Sequence, residues 1–198
     1  MKKTVIVTGV VLLSALMASA TEVEQYEAYL GYNFVRFNAN SDSIPSFSAN
    51  GGDAQFVYNF NRWLGGVADF GAVTRGSIND TGINMTVLNF VAGPRFTFHK
   101  ESRFRPFLEV LFGGYYATAS SLVVVINPVV SQRLVASRTG FAMLAGGGLD
   151  IKVSEHIALR PIEADYYLAR PVSFITGESV NRNNFRYTAG VNFLFGKQ

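Results

Sequence analysis

Apolar residues recur at every second position near the end of the chain: Phe185, Tyr187, Ala189, Val191, Phe193 and Phe195. The positions between them, Arg186, Thr188, Gly190 and Asn192, are polar or small until Leu194. A strand turns successive side chains to opposite faces, so this spacing predicts a strand with one greasy face and one wet face. The stripe covers about the 9–11 residues that a tilted strand needs to cross a bilayer. Aromatics stand at both ends, where membrane barrels carry their girdles. A soluble edge strand would look the same, so the deciding question is whether the pattern repeats.

It repeats seven more times. Ala28, Leu30, Tyr32 and Phe34 alternate with Glu27, Tyr29, Gly31 and Asn33, and Ala54, Phe56, Tyr58 and Phe60 with Gln55, Val57 and Asn59. A third strand runs from Leu64 to about Thr74 with Asp69 on its wet face, and a fourth sets Leu88, Phe90, Ala92, Pro94, Phe96 and Phe98 against Asn89, Gly93, Arg95 and Thr97. A fifth sets Pro106, Leu108, Val110, Phe112 and Gly114 against Phe107, Glu109, Leu111 and Gly113. The sixth starts at Phe141 and carries Asp150 and Lys152 on its wet face, and the seventh spans Ile157 to about Ala169. Short turns at 61–62, 99–103 and 153–156 alternate with polar loops at 38–52, 75–83, around 118–137 and 170–183. Membrane barrels show this asymmetry between short periplasmic turns and longer extracellular loops.

The wet faces collect charge. Asp69, Arg95, Glu109, Asp150, Glu163, Asp165 and Arg186 fall on them, and burying that set in a soluble core would be very costly. Facing one another inside a barrel, they pair. A lipocalin-type barrel would instead turn its apolar residues inward. The expected fold is all-β: an eight-stranded antiparallel up-and-down transmembrane β-barrel with a lumenal charge network. One register stays open. With Glu163, Asp165 and Pro161 inside, Arg160 falls on the lipid face with Ile162 and Ala164; either it snorkels to the interface or a bulge at Pro161 turns it inward.

The first residues set the compartment. Lys2 and Lys3 precede an apolar run from Val5 to Ala18 that ends Ala18-Ser19-Ala20, so residues 1–20 read as a cleaved signal peptide and 21–198 as the barrel. A membrane anchor would need about 20 apolar residues, more than this run holds. Losing Lys2 and Lys3 brings the formal charge of +3 close to neutrality. Without a basic block there is nothing to neutralise phosphates, so no nucleic-acid partner is expected. Zero cysteines exclude disulfides and thiolate chemistry. Many aromatics (Phe 17, Tyr 9) with 19 glycines and few charges tilt the composition toward a membrane barrel.

The segments Tyr58-Asn59-Phe60-Asn61-Arg62-Trp63-Leu64-Gly65, Gly93-Pro94-Arg95-Phe96, Pro106-Phe107 with Gly113, Gly146-Gly147-Gly148-Leu149-Asp150 and Ala189-Gly190-Val191-Asn192-Phe193 resemble the outer-membrane β-barrel family. That family is similar to the membrane domain of outer membrane protein A and to opacity-type porin-like proteins. The resemblance covers nearly all of the chain after residue 20. It implies a bacterial outer-membrane location, with outer-membrane lipid and the barrel-assembly machinery as partners. Relatives often end on an aromatic residue that this machinery reads. Here Phe195 is followed by Gly-Lys-Gln, which leaves Phe193 and Phe195 to serve. No periplasmic peptidoglycan-binding domain follows, so wall anchoring is not implied.

Some eight-stranded barrels modify lipid A, which would want a nucleophile with a His base and an acid in reach. His99 and His156, the two histidines, both fall in short turns, far from the outer leaflet. The inner carboxylates could serve as an acid–base pair, but more often such groups are the salt-bridged plug of a small barrel. No His/Asp/Glu cluster has metal-ligand spacing, and Gly146-Gly147-Gly148 lacks the helix and Lys-Ser/Thr of a phosphate cradle. No cofactor or catalytic residue is therefore expected. The leading reading is a structural or surface-interaction, adhesin-like barrel; a narrow porin is the alternative and a lipid A-modifying enzyme a lesser one. Interaction candidates are Leu122, Val123, Val124, Val125, Ile126, Val129 and Val130, two β-branched runs flanking Asn127-Pro128. They are expected to form a hairpin that projects beyond the membrane, or else folds over to cap the lumen.

Overall fold

The computed structural model describes residues 24–38, 46–78, 82–98, 100, 102–126, 129–171 and 182–197, with backbone alone for 122–126, 129–134, 171, 182 and 197. Among them are eight strands: β1 (Glu24–Phe37), β2 (Phe47–Asn59), β3 (Leu64–Arg75), β4 (Ile83–Thr97), β5 (Phe104–Ile126), β6 (Val129–Lys152), β7 (Ile157–Pro171) and β8 (Arg182–Lys197). Each pairs antiparallel with its sequence neighbours, and β1 pairs with β8 to close the barrel. The eight-stranded antiparallel barrel expected from the periodicity is the fold observed. Closure leaves no sheet edge within the wall, which satisfies the backbone wherever the wall meets lipid.

The alternation resolves into an inside and an outside as the pattern required. Leu30, Phe56, Phe70, Phe90, Leu108 and Phe112 point out and are exposed, while Tyr29, Val57, Val67, Val91, Leu111 and Leu144 point in and are buried. A core of inward valines, leucines and aromatics fills the end of the barrel near the long loops, and the charged residues fill the rest.

Three boundaries differ from the sequence reading. Residues 47–52 are not loop: they are the first half of β2, with Phe47 and Ala49 packed inward opposite Phe37 and Val35. Asn, Ser and Gly disguise this stretch, yet Gly51 is there because a Cβ would lie 1.9 Å from the Ala72 carbonyl oxygen. β4 begins at Ile83 rather than near Leu88, and β6 begins at Val129 rather than Phe141.

β7 settles the open register. Opposite β8, Arg160 pairs with Gly190 and Glu163 with Thr188, so β7 holds one residue more than its neighbour there. A matching shift faces β6 between Leu149 and Ile151. This bulge leaves Pro161 and Ile162 both exposed and turns Arg160 into the lumen. Pro161, expected inside, faces out like Pro94 and Pro106, where a ring without an N–H costs least.

Candidate functional site

Inward positions on a narrow barrel must meet one another, because eight strands enclose a space just wide enough for side chains. Three arginines meet there: Arg95 on β4, Arg160 on β7 and Arg186 on β8, each buried. Arg186 reaches four carboxylates on three strands, Asp165 (2.8 Å), Glu163 (2.8 Å), Asp69 (2.7 Å) and Asp53 (3.2 Å). Arg160 forks onto Asp150 at 2.7 and 3.0 Å and donates to Glu163 at 2.6 Å. Arg95 donates to Glu109, its neighbour on β5, at 2.7 Å.

Gln55 on β2 ties the three together. Its amide nitrogen donates to Asp69 and Glu163, both at 3.0 Å. Its amide oxygen accepts from Arg160 at 2.7 Å and from Arg95. The Phe107 ring is held between the guanidiniums of Arg95 (4.2 Å) and Arg160 (4.5 Å), and Arg160 also lies 4.3 Å from the Tyr29 ring. The Gly146–Gly148 run makes room for this packing. A Cβ at Gly146 would lie 2.3 Å from an Asp165 carboxylate oxygen, and one at Gly148 would lie 2.7 Å from the Phe107 ring.

A second layer lies toward the short turns. Glu27 accepts from Asn59 and Asn192 at 2.8 Å and pairs with Lys100 at 3.0 Å. Lys100 sits on the β4–β5 turn, where burial holds its ammonium below the usual lysine range and Glu27 partly offsets the shift. Glu24 pairs with Arg105 at 3.1 Å and with Lys152 at 2.5 Å.

Asp69, Arg95, Glu109, Asp150, Glu163, Asp165 and Arg186 thus all face the lumen and belong to one network. Reasoning from sequence missed Asp53, placed at a loop edge, although it is two positions before Gln55 and shares its face. It also passed over Gln55, Glu27 and Arg105, for which face parity on β1, β2 and β5 was the available signal, and Lys100, a turn residue for which parity gave none.

Asp69, Glu109 and Glu163 bring carboxylate oxygens within 4.8 Å of one another, as a cation site would. Here all but Glu109 Oε1, which is buried without a hydrogen-bond partner, are already engaged. Glu163 accepts from Arg160, Arg186 and Gln55, Asp69 from Arg186, Gln55 and Asn89, and Glu109 from Arg95. The set is an ion-pair lattice that cross-links β2, β3, β4, β5, β7 and β8. His156 is exposed on the β6–β7 turn, and His99 lies outside the described residues.

The outer end is built differently. β4 reaches its last rung on β5 at Ile83–Ser121, and β7 its last on β6 at Gly140–Pro171. β5 and β6 continue to pair beyond both, to Ile126–Val129. Residues 135–139 of β6 are all exposed, so neither face of the strand is covered there. The backbones of Leu122–Ile126, Val129 and Val130 lie in this hairpin; their side chains, and Asn127-Pro128, fall outside the described residues.

The family model for the outer membrane protein beta-barrel domain matches residues 6–193. No curated protein matches the chain in sequence. Among solved structures, it resembles Ail, the attachment invasion locus protein of Yersinia pestis, at TM-score 0.58 and 19% identity over 86% of this chain and 97% of that one. It resembles Neisserial surface protein A with the same TM-score and coverages at 14% identity. With OprG of Pseudomonas aeruginosa the TM-score is 0.51 at 14% identity, over 89% of this chain and 98% of that one.

Proposed function

The chain belongs to the outer membrane protein β-barrel domain family, and on that premise we propose that it is a sealed barrel acting through its projecting β5–β6 hairpin as a surface-interaction, adhesin-like protein. It is a transmembrane barrel of the bacterial outer membrane. Short turns in such barrels face the periplasm, which puts the hairpin outside the cell.

The observation that carries the proposal is the pairing of β5 with β6 beyond the last rungs of their other neighbours. From Val129 to Thr139, β6 has β5 on one side and no described strand on the other. An open edge is a template for strand addition by a partner protein. The run from Leu122 to Ile126 is apolar in sequence, the composition from which interaction patches are built. In this reading residues 1–20 are an export signal, Phe193 and Phe195 serve the barrel-assembly machinery, and lipid solvates the outward face. The lumenal carboxylates act as ion-pair partners and not as catalysts, and no cofactor is required. The attachment role in the name of Ail supports the same reading.

The test is a deletion of Ser121 to Val135. Bacteria displaying the shortened barrel, with insertion confirmed by heat-modifiable migration, should lose binding to host cells or matrix protein that the full-length barrel confers. Undiminished binding by the shortened barrel would reject the hairpin as the interaction element.

A further inference from the structure

The lumenal network holds more acid than its bases can pair. Among the described residues, six buried carboxyls of the central layer, Asp53, Asp69, Glu109, Asp150, Glu163 and Asp165, face three guanidiniums, Arg95, Arg160 and Arg186. Fully ionised, that layer would carry three negative charges in excess. The layer toward the short turns offers little relief. Lys100, Arg105 and Lys152 outnumber Glu24 and Glu27 there by one, and Lys152 is partly exposed. A buried carboxylate without a compensating charge is too costly to keep ionised, and it takes a proton instead.

Hydrogen bonding divides the six carboxyls into two sets. In Asp69, Asp150 and Glu163 both oxygens accept. Asp69 takes Asn89 on Oδ1 and Gln55 and Arg186 on Oδ2. Asp150 takes the fork of Arg160, and Glu163 takes Arg186 on Oε1 and Arg160 on Oε2. In the other set one oxygen accepts, while Asp53 Oδ2, Glu109 Oε1 and Asp165 Oδ1 are buried with no hydrogen-bond partner. Glu109 is the plainest case, because Arg95 places both Nε, at 2.7 Å, and Nη2, at 2.6 Å, on Oε2. An ionised carboxylate accepts on both oxygens, whereas a protonated one turns one oxygen into a hydroxyl. The fully engaged carboxylates equal the guanidiniums in number, and the half-engaged ones equal the excess. We propose that the lumen binds three protons at neutral pH, one each on Asp53, Glu109 and Asp165.

The surroundings of each acid favour this state. Asp53 on β2 faces Arg186, Asp69, Glu163 and Arg160, with Tyr29 and Asn33 on the β1 side. Glu109 on β5 faces Arg95, Glu163, Arg160 and Arg186, and Asp165 on β7 faces Arg186, Glu163 and Glu109. Between these two strands β6 presents only Gly146, which pairs with both residues. Each acid therefore has another carboxyl as close company, and losing its proton would set anion against anion. Alkaline pH would discharge the store and place new anions where no cation is free to receive them.

Proton uptake on folding is the test. In urea at neutral pH the carboxyls of the unfolded chain are ionised. Folding the full barrel into detergent in weakly buffered solution should therefore take up about three protons per chain. Infrared spectra of the folded barrel should show the carbonyl stretch of protonated carboxyls. Glu109→Gln keeps a neutral group of the same shape, so it should lose about one proton of the uptake and part of that band. If this variant fails to fold, the wild-type uptake and band still decide. A folded chain that binds more protons than the unfolded one must lose stability as pH rises. The unfolding constant in urea should grow at least about a hundredfold from about pH 6 to pH 8, tenfold per unit for each proton retained throughout. Uptake of fewer than about two protons, absence of the carbonyl band, or stability that rises with pH across this range would overturn the proposal. So would stability that tracks sodium or calcium concentration at constant ionic strength, because a metal cation would then balance the excess.

Discussion

Arg160 and Glu163 stand three residues apart on one strand, yet both point into the lumen and are joined by a 2.6 Å ion pair. In a regular strand, residues three apart face opposite sides. The extra residue at Pro161–Ile162 makes the pairing possible. Without it, one member of the pair would face lipid. The bulge thus converts a strand that alternates imperfectly into one that delivers a guanidinium to Asp150, Glu163 and Gln55 together.

Arg160→Met should destabilise the barrel by about 3–5 kcal/mol, because it leaves Asp150 buried without its cation and Glu163 with Arg186 alone. Adding Asp150→Asn should recover part of the loss, since the stranded charge disappears. Equilibrium urea unfolding of the folded barrel in lipid or detergent measures both. An unchanged midpoint for Arg160→Met would contradict the network as a stabilising plug.

An arginine on the outward face should cost more the deeper it lies. Phe90→Arg should cost about 2–4 kcal/mol and Thr86→Arg, four residues nearer the outer rim, markedly less. Both positions are exposed and outward. Equal costs in the same unfolding assay would mean that the belt is centred elsewhere.

The lumen has no slack at Gly148. Gly148→Leu would drive side-chain atoms into the Phe107 ring and the Ile162 carbonyl, so overpacking should cost about 1–3 kcal/mol. Gly52→Ala is the matched control. The nearest atom to its new Cβ is 3.8 Å away, so its unfolding midpoint should stay close to wild type. Similar destabilisation by both would remove the packing argument.

Much of this was legible before any coordinates, because a membrane barrel writes its faces in period two. The outward stripe of β8 and the inward Asp69, Arg95, Glu109 and Arg186 follow from parity alone. Legibility failed where a local feature broke the period. The bulge at Pro161–Ile162 changes parity within β7, and residue type could not say which way Arg160 would turn. Phe47–Gly52 was disguised by small and polar residues that usually mark loops; here they face the outside or fit a close strand contact, as at Gly51. Gln55 was invisible as a hub because a neutral amide gives no charge signal, although it bridges two cations and two anions.

Trp63 is the single tryptophan and therefore a depth gauge. It sits on the turn after β2, stacked on Phe96 at the short-turn end of the wall. Lipids brominated near the headgroup should quench its fluorescence more strongly than lipids brominated mid-chain. The reverse order would place the short turns inside the hydrocarbon and overturn the register.

The central claim is that this barrel is sealed by its own charges and acts at its outer edge. Current through a planar bilayer tests it most directly, with wild type and the Ser121–Val135 deletion compared at equal insertion. The account predicts baseline current from both, since Arg95, Arg160 and Arg186 lie on the barrel wall below the deleted segment. Discrete conductance steps that appear only on deletion, with surface binding unchanged, would contradict it: the hairpin would then be a lid over a passage.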